Sequence, residues 1–175
     1  MKKSLFLILS ALAIVLAGFW LYQDYQAEAD SIAEEGVLPG KRAPSFSLDD
    51  ANGNNVAIAE TGKIYVLNFW ATWCPPCRGE MPELDAFAAA NSTNVNFYAI
   101  NLQESAAEVN AFMADNQYHF PVLLDSDGKV SKQYQVRGIP TTLIIDRKGI
   151  IQFRKTGPVT QAELDAAVQK IMEDD

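Results

Sequence analysis

Cysteine and histidine are almost missing from this chain of 175 residues, which holds two cysteines and one histidine, His119. So few cysteines exclude a small fold stapled by several disulfides. A lone imidazole excludes a histidine-rich metal centre and leaves any Cys–His or Ser–His–Asp hydrolase a single candidate base. Basic runs are missing too. Nothing dense follows Lys2-Lys3, and 14 Lys+Arg against 22 Asp+Glu leave a net charge of −8, which argues against a nucleic-acid partner. Internal repeats and low-complexity tracts are absent. What remains is 49% apolar and 21% charged, the composition of a foldable domain, and the length allows one of ordinary size.

The apolar residues are unevenly spread. Leu5 to Tyr22 is apolar except for Ser10 and Gly18. A helix of that length rises about 27 Å, close to the hydrocarbon core of a bilayer. Lys2 and Lys3 precede it, whereas Asp24, Glu28 and Asp30 follow, so the rest of the chain is expected outside the cytoplasm. We read residues 1–22 as an uncleaved membrane anchor. Cleavage near Ala27-Glu28-Ala29 is the alternative, and Phe19 stands where a lipoprotein signal needs cysteine. Residues 23–42, polar and small and ending in Leu38-Pro39-Gly40, read as a linker, and 43–175 as the domain.

Within that domain strands and helices alternate. Phe46-Ser47-Leu48 and Asn55–Ile58 flank a turn signal and read as a hairpin. Ile64–Phe69 and Val95–Ile100 are apolar runs, as expected of strands buried on both faces. Helices are predicted over 76–90, over 105–116 with Ser105 and Glu108 spaced as a capping box, and over 160–172 with Leu164, Val168 and Ile171 on one face. Phe120–Leu124 reads as a short strand and Ser131–Tyr134 as a short helix. Thr141–Ile145 and Ile150–Arg154 form a second hairpin around Asp146-Arg147-Lys148-Gly149. The order argues for an α/β fold with a mixed sheet.

Both cysteines fall in Trp73-Cys74-Pro75-Pro76-Cys77, where a buried strand passes into a helix. A helix N-terminus presents unpaired N–H groups and partial positive charge, both of which favour a thiolate. Cys74 is expected to cap the helix with its sulfur partly exposed, and Cys77 to be more buried one turn on. Two-residue spacing lets the sulfurs close a disulfide. Such a small loop restrains little of the unfolded chain, and two thiolates with one distant histidine do not make a zinc site, so redox exchange is the favoured reading.

Asn68 to Pro82, including Phe69-Trp70-Ala71-Thr72-Trp73-Cys74-Pro75-Pro76-Cys77-Arg78-Gly79-Glu80, resembles the active-site segment of the thioredoxin-like TlpA/ResA/CcmG family. Gly138-Ile139-Pro140-Thr141-Thr142 resembles that superfamily's cis-proline segment, and the intervening Phe120–Asp125 region resembles the family's extra strand–helix insertion. With the N-terminal apolar run, the resemblance spans essentially the whole chain and is strongest to membrane-tethered ResA-type members. It implies a thioredoxin-like fold, with an N-terminal β-hairpin and an insertion between the second core strand and the cis-proline loop. It also implies a redox-active Cys74–Cys77 pair, no bound cofactor and no metal. Ile139-Pro140 is expected to be cis and, with Trp73, to bind substrate. Glu80, three residues after Cys77, is the acid/base candidate, because Asn68 stands where ordinary thioredoxin has an acidic residue and cannot relay a proton. The bland readings are a solvated Glu80, a hydrogen-bonded buried amide for Asn68 and a surface or packed His119. Pro82 inside the helix is expected to kink it.

The implied activity is that of an extracytoplasmic, membrane-anchored thiol–disulfide oxidoreductase that reduces exported proteins. The oxidised Cys-x-x-Cys-His haem-attachment site of apocytochrome c is the expected client, and a membrane thiol carrier of the CcdA/DsbD type the electron donor. A general envelope reductant, oxidant or isomerase is the alternative. A thiol peroxidase fits less well, since Ala71 stands where that group has threonine, and a redox-inert binding module would show no turnover.

Overall fold

A strand buried on both faces must present apolar side chains in both directions, and β3 (Ile64–Trp70) does so. Ile64, Val66 and Trp70 enter one core and Leu67 and Phe69 the other, the two-residue alternation of a pleated strand. The computed structural model describes residues 12–24, 34–58 and 62–174. They divide into two units: one ends at Glu34, and the other, Glu35–Asp175, holds the sheet.

In the first unit, residues 12–24 are helical (α1), and the large apolar side chains from Leu12 to Tyr22 stand exposed. Among the described residues no helix is long and apolar enough to cross a membrane. Residues 1–11, the first half of the anchor expected over 1–22, lie outside the described residues, as do 25–33 of the expected linker.

The second unit is an α/β fold around a mixed sheet of seven strands in the order β2-β1-β5-β4-β3-β6-β7. The hairpin β1 (Phe46–Asp50) and β2 (Asn55–Ile58) joins through β1 to β5 (Val122–Asp125). The strand β4 (Val95–Leu102) runs parallel to both β3 and β5. The closing hairpin of β6 (Thr141–Ile145) and β7 (Ile151–Thr156) adds antiparallel to β3. All seven strands and the insertion of α3 (Ala106–Asn116), β5 and α4 (Lys129–Gln133) fall where the sequence pattern put them, to within a few residues. The capping box of α3 is present, Ser105 and Glu108 each accepting the other's backbone N–H.

Two cores result. On one face α2 (Pro75–Asn91) brings Met81, Leu84 and Phe87, and α5 (Gln161–Asp174) brings Leu164, Val168 and Ile171. Each such side chain contributes about 1.5–3 kcal/mol when fully buried. On the other face Ile58, Val130 and Tyr134 close over Leu67, Phe69 and Ile100. Tyr134 donates its hydroxyl to the carbonyl of Pro44 at 2.6 Å, and so fixes the chain that leads into β1.

The domain begins earlier than its composition suggests. Residues 35–42, read as the end of a linker, are docked on β7. Gly40 N–H donates to Ile151 O and Ile151 N–H to Lys41 O, while Val37 is buried. Arg154 reaches across and donates to the carbonyls of both Val37 and Gln135, at 3.0 and 3.3 Å. Glycine and proline here shape a strap that follows a sheet edge, and backbone pairing of that kind leaves no trace in composition.

Candidate active site

The site sits where β3 gives way to α2. Cys74 is the N-cap of α2, with extended backbone angles, and Pro75 and Pro76 occupy the first helical positions, where a missing N–H costs nothing. Cys74 and Cys77 form a disulfide, their Cα atoms 5.3 Å apart. Cys74 Sγ accepts the N–H of Cys77 at 3.3 Å, so the positive end of the helix is aimed at this sulfur. The helix continues unbroken across Pro82 to Asn91.

Cys77 is fully buried, as expected. Cys74 differs from expectation: only 3% of its surface is exposed. The peptide bond between Ile139 and Pro140 is cis, and its loop faces the pair, with the Ile139 carbonyl oxygen 3.8 Å from Cys74 Sγ. A sulfur held in a disulfide has no proton to donate, so this is a packing contact. The open surface beside the pair belongs to Trp73, 67% exposed, while Trp70 is core and packs against Phe112. Arg78 lies over the Phe112 ring at 5.9 Å, a cation–π distance, and not against the sulfurs.

Beneath the cysteines lies a buried polar network. Glu80 shares the buried face of α2 with Cys77 and is 2% exposed. Its Oε1 accepts from Asn68 Nδ2 at 2.8 Å, and its Oε2 from the N–H of Val159 at 2.7 Å. The same Asn68 amide donates to Thr142 Oγ1, its neighbour across the β3–β6 register. Burial pushes the Glu80 carboxyl above the usual carboxylate range; the bonds from Val159 and Asn68 and the charge of Lys155 pull the other way without cancelling it. A solvated role for Glu80 is thus excluded, and Asn68 is a hydrogen-bonded buried amide that touches the acid/base candidate directly. Asn68 Oδ1 is buried with no partner.

Glu104 escaped the sequence reading. It follows β4, accepts the N–H of Thr72 at 2.7 Å and the Thr72 hydroxyl, and takes a third bond from Asn101 Nδ2 at 2.7 Å. It therefore braces the turn two residues before Cys74. The faint signal was a carboxylate just past the C-terminal end of a buried parallel strand, where α/β sites gather. His119 stands apart, exposed, its N–H bonded to Asp85. Among the described residues no cluster of His, Cys, Asp and Glu is arranged to hold a metal ion.

The Redoxin family model matches residues 38–171. Thioredoxin-like protein YneN of Bacillus subtilis is 36% identical over 169 residues, 94% of this chain and 96% of that one. Thiol-disulfide oxidoreductase ResA of the same organism is 34% identical over 165 residues, 92% and 89% of the two chains. The crystal structure of StoA from Bacillus subtilis superposes with a TM-score of 0.65 at 32% identity, covering 75% of this chain and 98% of that one.

Proposed function

Since the chain belongs to the redoxin family and is a thiol–disulfide oxidoreductase of the ResA, StoA and DsbE type, we propose that it reduces disulfides of exported proteins with Cys74 as nucleophile. In this reading the Cys74 thiolate attacks one sulfur of a client disulfide, forms a mixed disulfide and expels the client's other sulfur as thiolate. Cys77 then loses its proton and attacks Cys74 Sγ, releasing the second client thiolate. Two electrons pass to the client, its two sulfurs take up the protons that Cys74 and Cys77 lost, and Cys74–Cys77 is left as the disulfide. Glu80 is the group beneath the pair with a carboxyl poised to receive the Cys77 proton. Ile139, Pro140 and Trp73 form the surface on which the client lies.

One observation carries the reading: the disulfide caps α2 with Cys74 Sγ on the Cys77 N–H at 3.3 Å, so departing electron density on that sulfur is stabilised. The placement outside the cytoplasm rests on the apolar run after Lys2 and Lys3, which we take as a tether over residues 1–22, with the following residues to 34 as its linker. The resemblance to ResA-type proteins supports apocytochrome c as client and a CcdA/DsbD-type carrier as donor. The test is Cys77→Ser expressed in the native envelope: it should accumulate mixed disulfides on Cys74, identified by mass spectrometry. Capture of apocytochrome c supports the narrow reading, capture of other exported proteins supports a general reductant, and a variant that captures nothing refutes client exchange.

A further inference from the structure

We propose that the cleft between the strap at residues 37–38 and the loop leading into Pro140 receives the client polypeptide beyond its cysteine, and that it selects clients with an acidic side chain near that cysteine. The inference rests on the oxidoreductase reading above. The cleft is lined by Leu38, Arg137, Gly138, Arg154 and Thr156 among others. Its lining residue Gly138 directly precedes Ile139 in the chain, whose carbonyl oxygen lies 3.8 Å from Cys74 Sγ, so the loop that borders the cleft is the one that meets the disulfide. Arg137 is two residues before Ile139, at most about 7 Å of chain. A side chain two to four positions from the client's reacting cysteine therefore comes within reach of it.

The charge here runs against that of the molecule. In a chain of net charge −8, two guanidinium groups border one cleft. Arg154 is held in place by the carbonyls of Val37 and Gln135. Arg137 is exposed and has no partner among the described residues. Leu38, 61% exposed, supplies an apolar wall opposite. An extended segment laid along Gly138 meets attraction if it is acidic and repulsion if it is basic, an effect that acts on association and weakens with salt.

The experiment uses the reduced full-length protein and three peptides, each closed by an internal disulfide and identical except for Glu, Gln or Lys three residues from one cysteine. Rates are followed by tryptophan fluorescence. At low salt we expect Glu to exceed Gln and Gln to exceed Lys, with about a three- to ten-fold span from Glu to Lys. That span should shrink toward one in 0.5 M sodium chloride. Arg137→Glu should invert the order and Leu38→Asp should lower the rate of the Glu peptide most. Ratios among peptides on one preparation do not depend on how much of a variant is folded. Equal rates for the three peptides at low salt, or an unchanged order in Arg137→Glu, would overturn the proposal. Failure of the unaltered protein to reduce even the Gln peptide would instead refute the oxidoreductase reading, and the selectivity with it.

Discussion

Glu80 is the residue whose surroundings make the sharpest demands. Burial raises its carboxyl pKa, so between the ordinary value of 4.5 and the raised one the folded protein holds a proton that the unfolded chain has lost. The group's contribution to stability is therefore greatest at and below pH 4.5 and declines as pH rises through that window. Glu80→Gln should abolish this part of the pH dependence. It should also cost about 1–3 kcal/mol near neutrality, because the amide's N–H₂ would face one of the two donors, Asn68 Nδ2 or the Val159 N–H, that the two carboxylate oxygens now accept. Urea titrations at several pH values check both. Resolution of the mixed disulfide should lose its inflection above pH 4.5 in the same variant; a pH–rate profile identical to the parent's would remove Glu80 from proton transfer. Asn68→Asp should act in the opposite sense. It replaces a donor 2.8 Å from Glu80 Oε1 with a second carboxyl, so the pair titrates in two steps, the upper one higher than Glu80 alone. Carboxyl NMR shifts followed over pH would show it.

At the scale of elements, the reactive corner is held from two sides. The cis loop presses on Cys74 from β6, and Glu104 anchors the preceding turn to the end of β4. Glu104→Ala would strip two hydrogen bonds from that turn and leave the buried Asn101 side chain, whose Oδ1 already lacks a partner, without a partner for its amide as well. A loss of about 2–4 kcal/mol is expected in the urea midpoint, together with slower client reduction as Cys74 loses its fixed approach. An unchanged midpoint would show the brace to be incidental. Sequence reasoning missed this residue for a physical reason. Cys74, Cys77, Glu80 and Pro140 lie within local patterns that carry their own chemistry, and Ser105–Glu108 is a cap spelled out over four residues. Glu104 matters only because the fold brings Thr72, 32 positions away, onto its carboxylate. Cys74 was expected to be more exposed because a helix N-cap usually faces water; the cover comes from Ile139, 65 positions distant in the chain.

For the whole molecule, the strap at residues 35–42 decides where the stable unit begins. A chain starting at residue 35 should unfold as the full domain does. One starting at residue 43 loses the burial of Val37, two backbone bonds to Ile151 and one of the carbonyls that hold Arg154. We expect it to be less stable by about 3 kcal/mol, read from thermal or urea unfolding. Equal stability of the two truncations would mean that the strap merely rests on the sheet. The succession of strands and helices and the mixed sheet were readable in advance, since continuous apolar runs and helical periodicity dictate which faces must be hidden. The strap was not, because its attachment runs through backbone N–H and C=O groups that every residue shares.

Arg154 works as a rivet between the strap and the loop that enters the proline segment. Mechanical load drawn through residue 35 falls first on that rivet and on the pairing with β7, well before it reaches the central strands. Tension on the amino-terminal side would thus tug first at the outer lip of the cleft, where Arg154 holds the carbonyls of Val37 and Gln135.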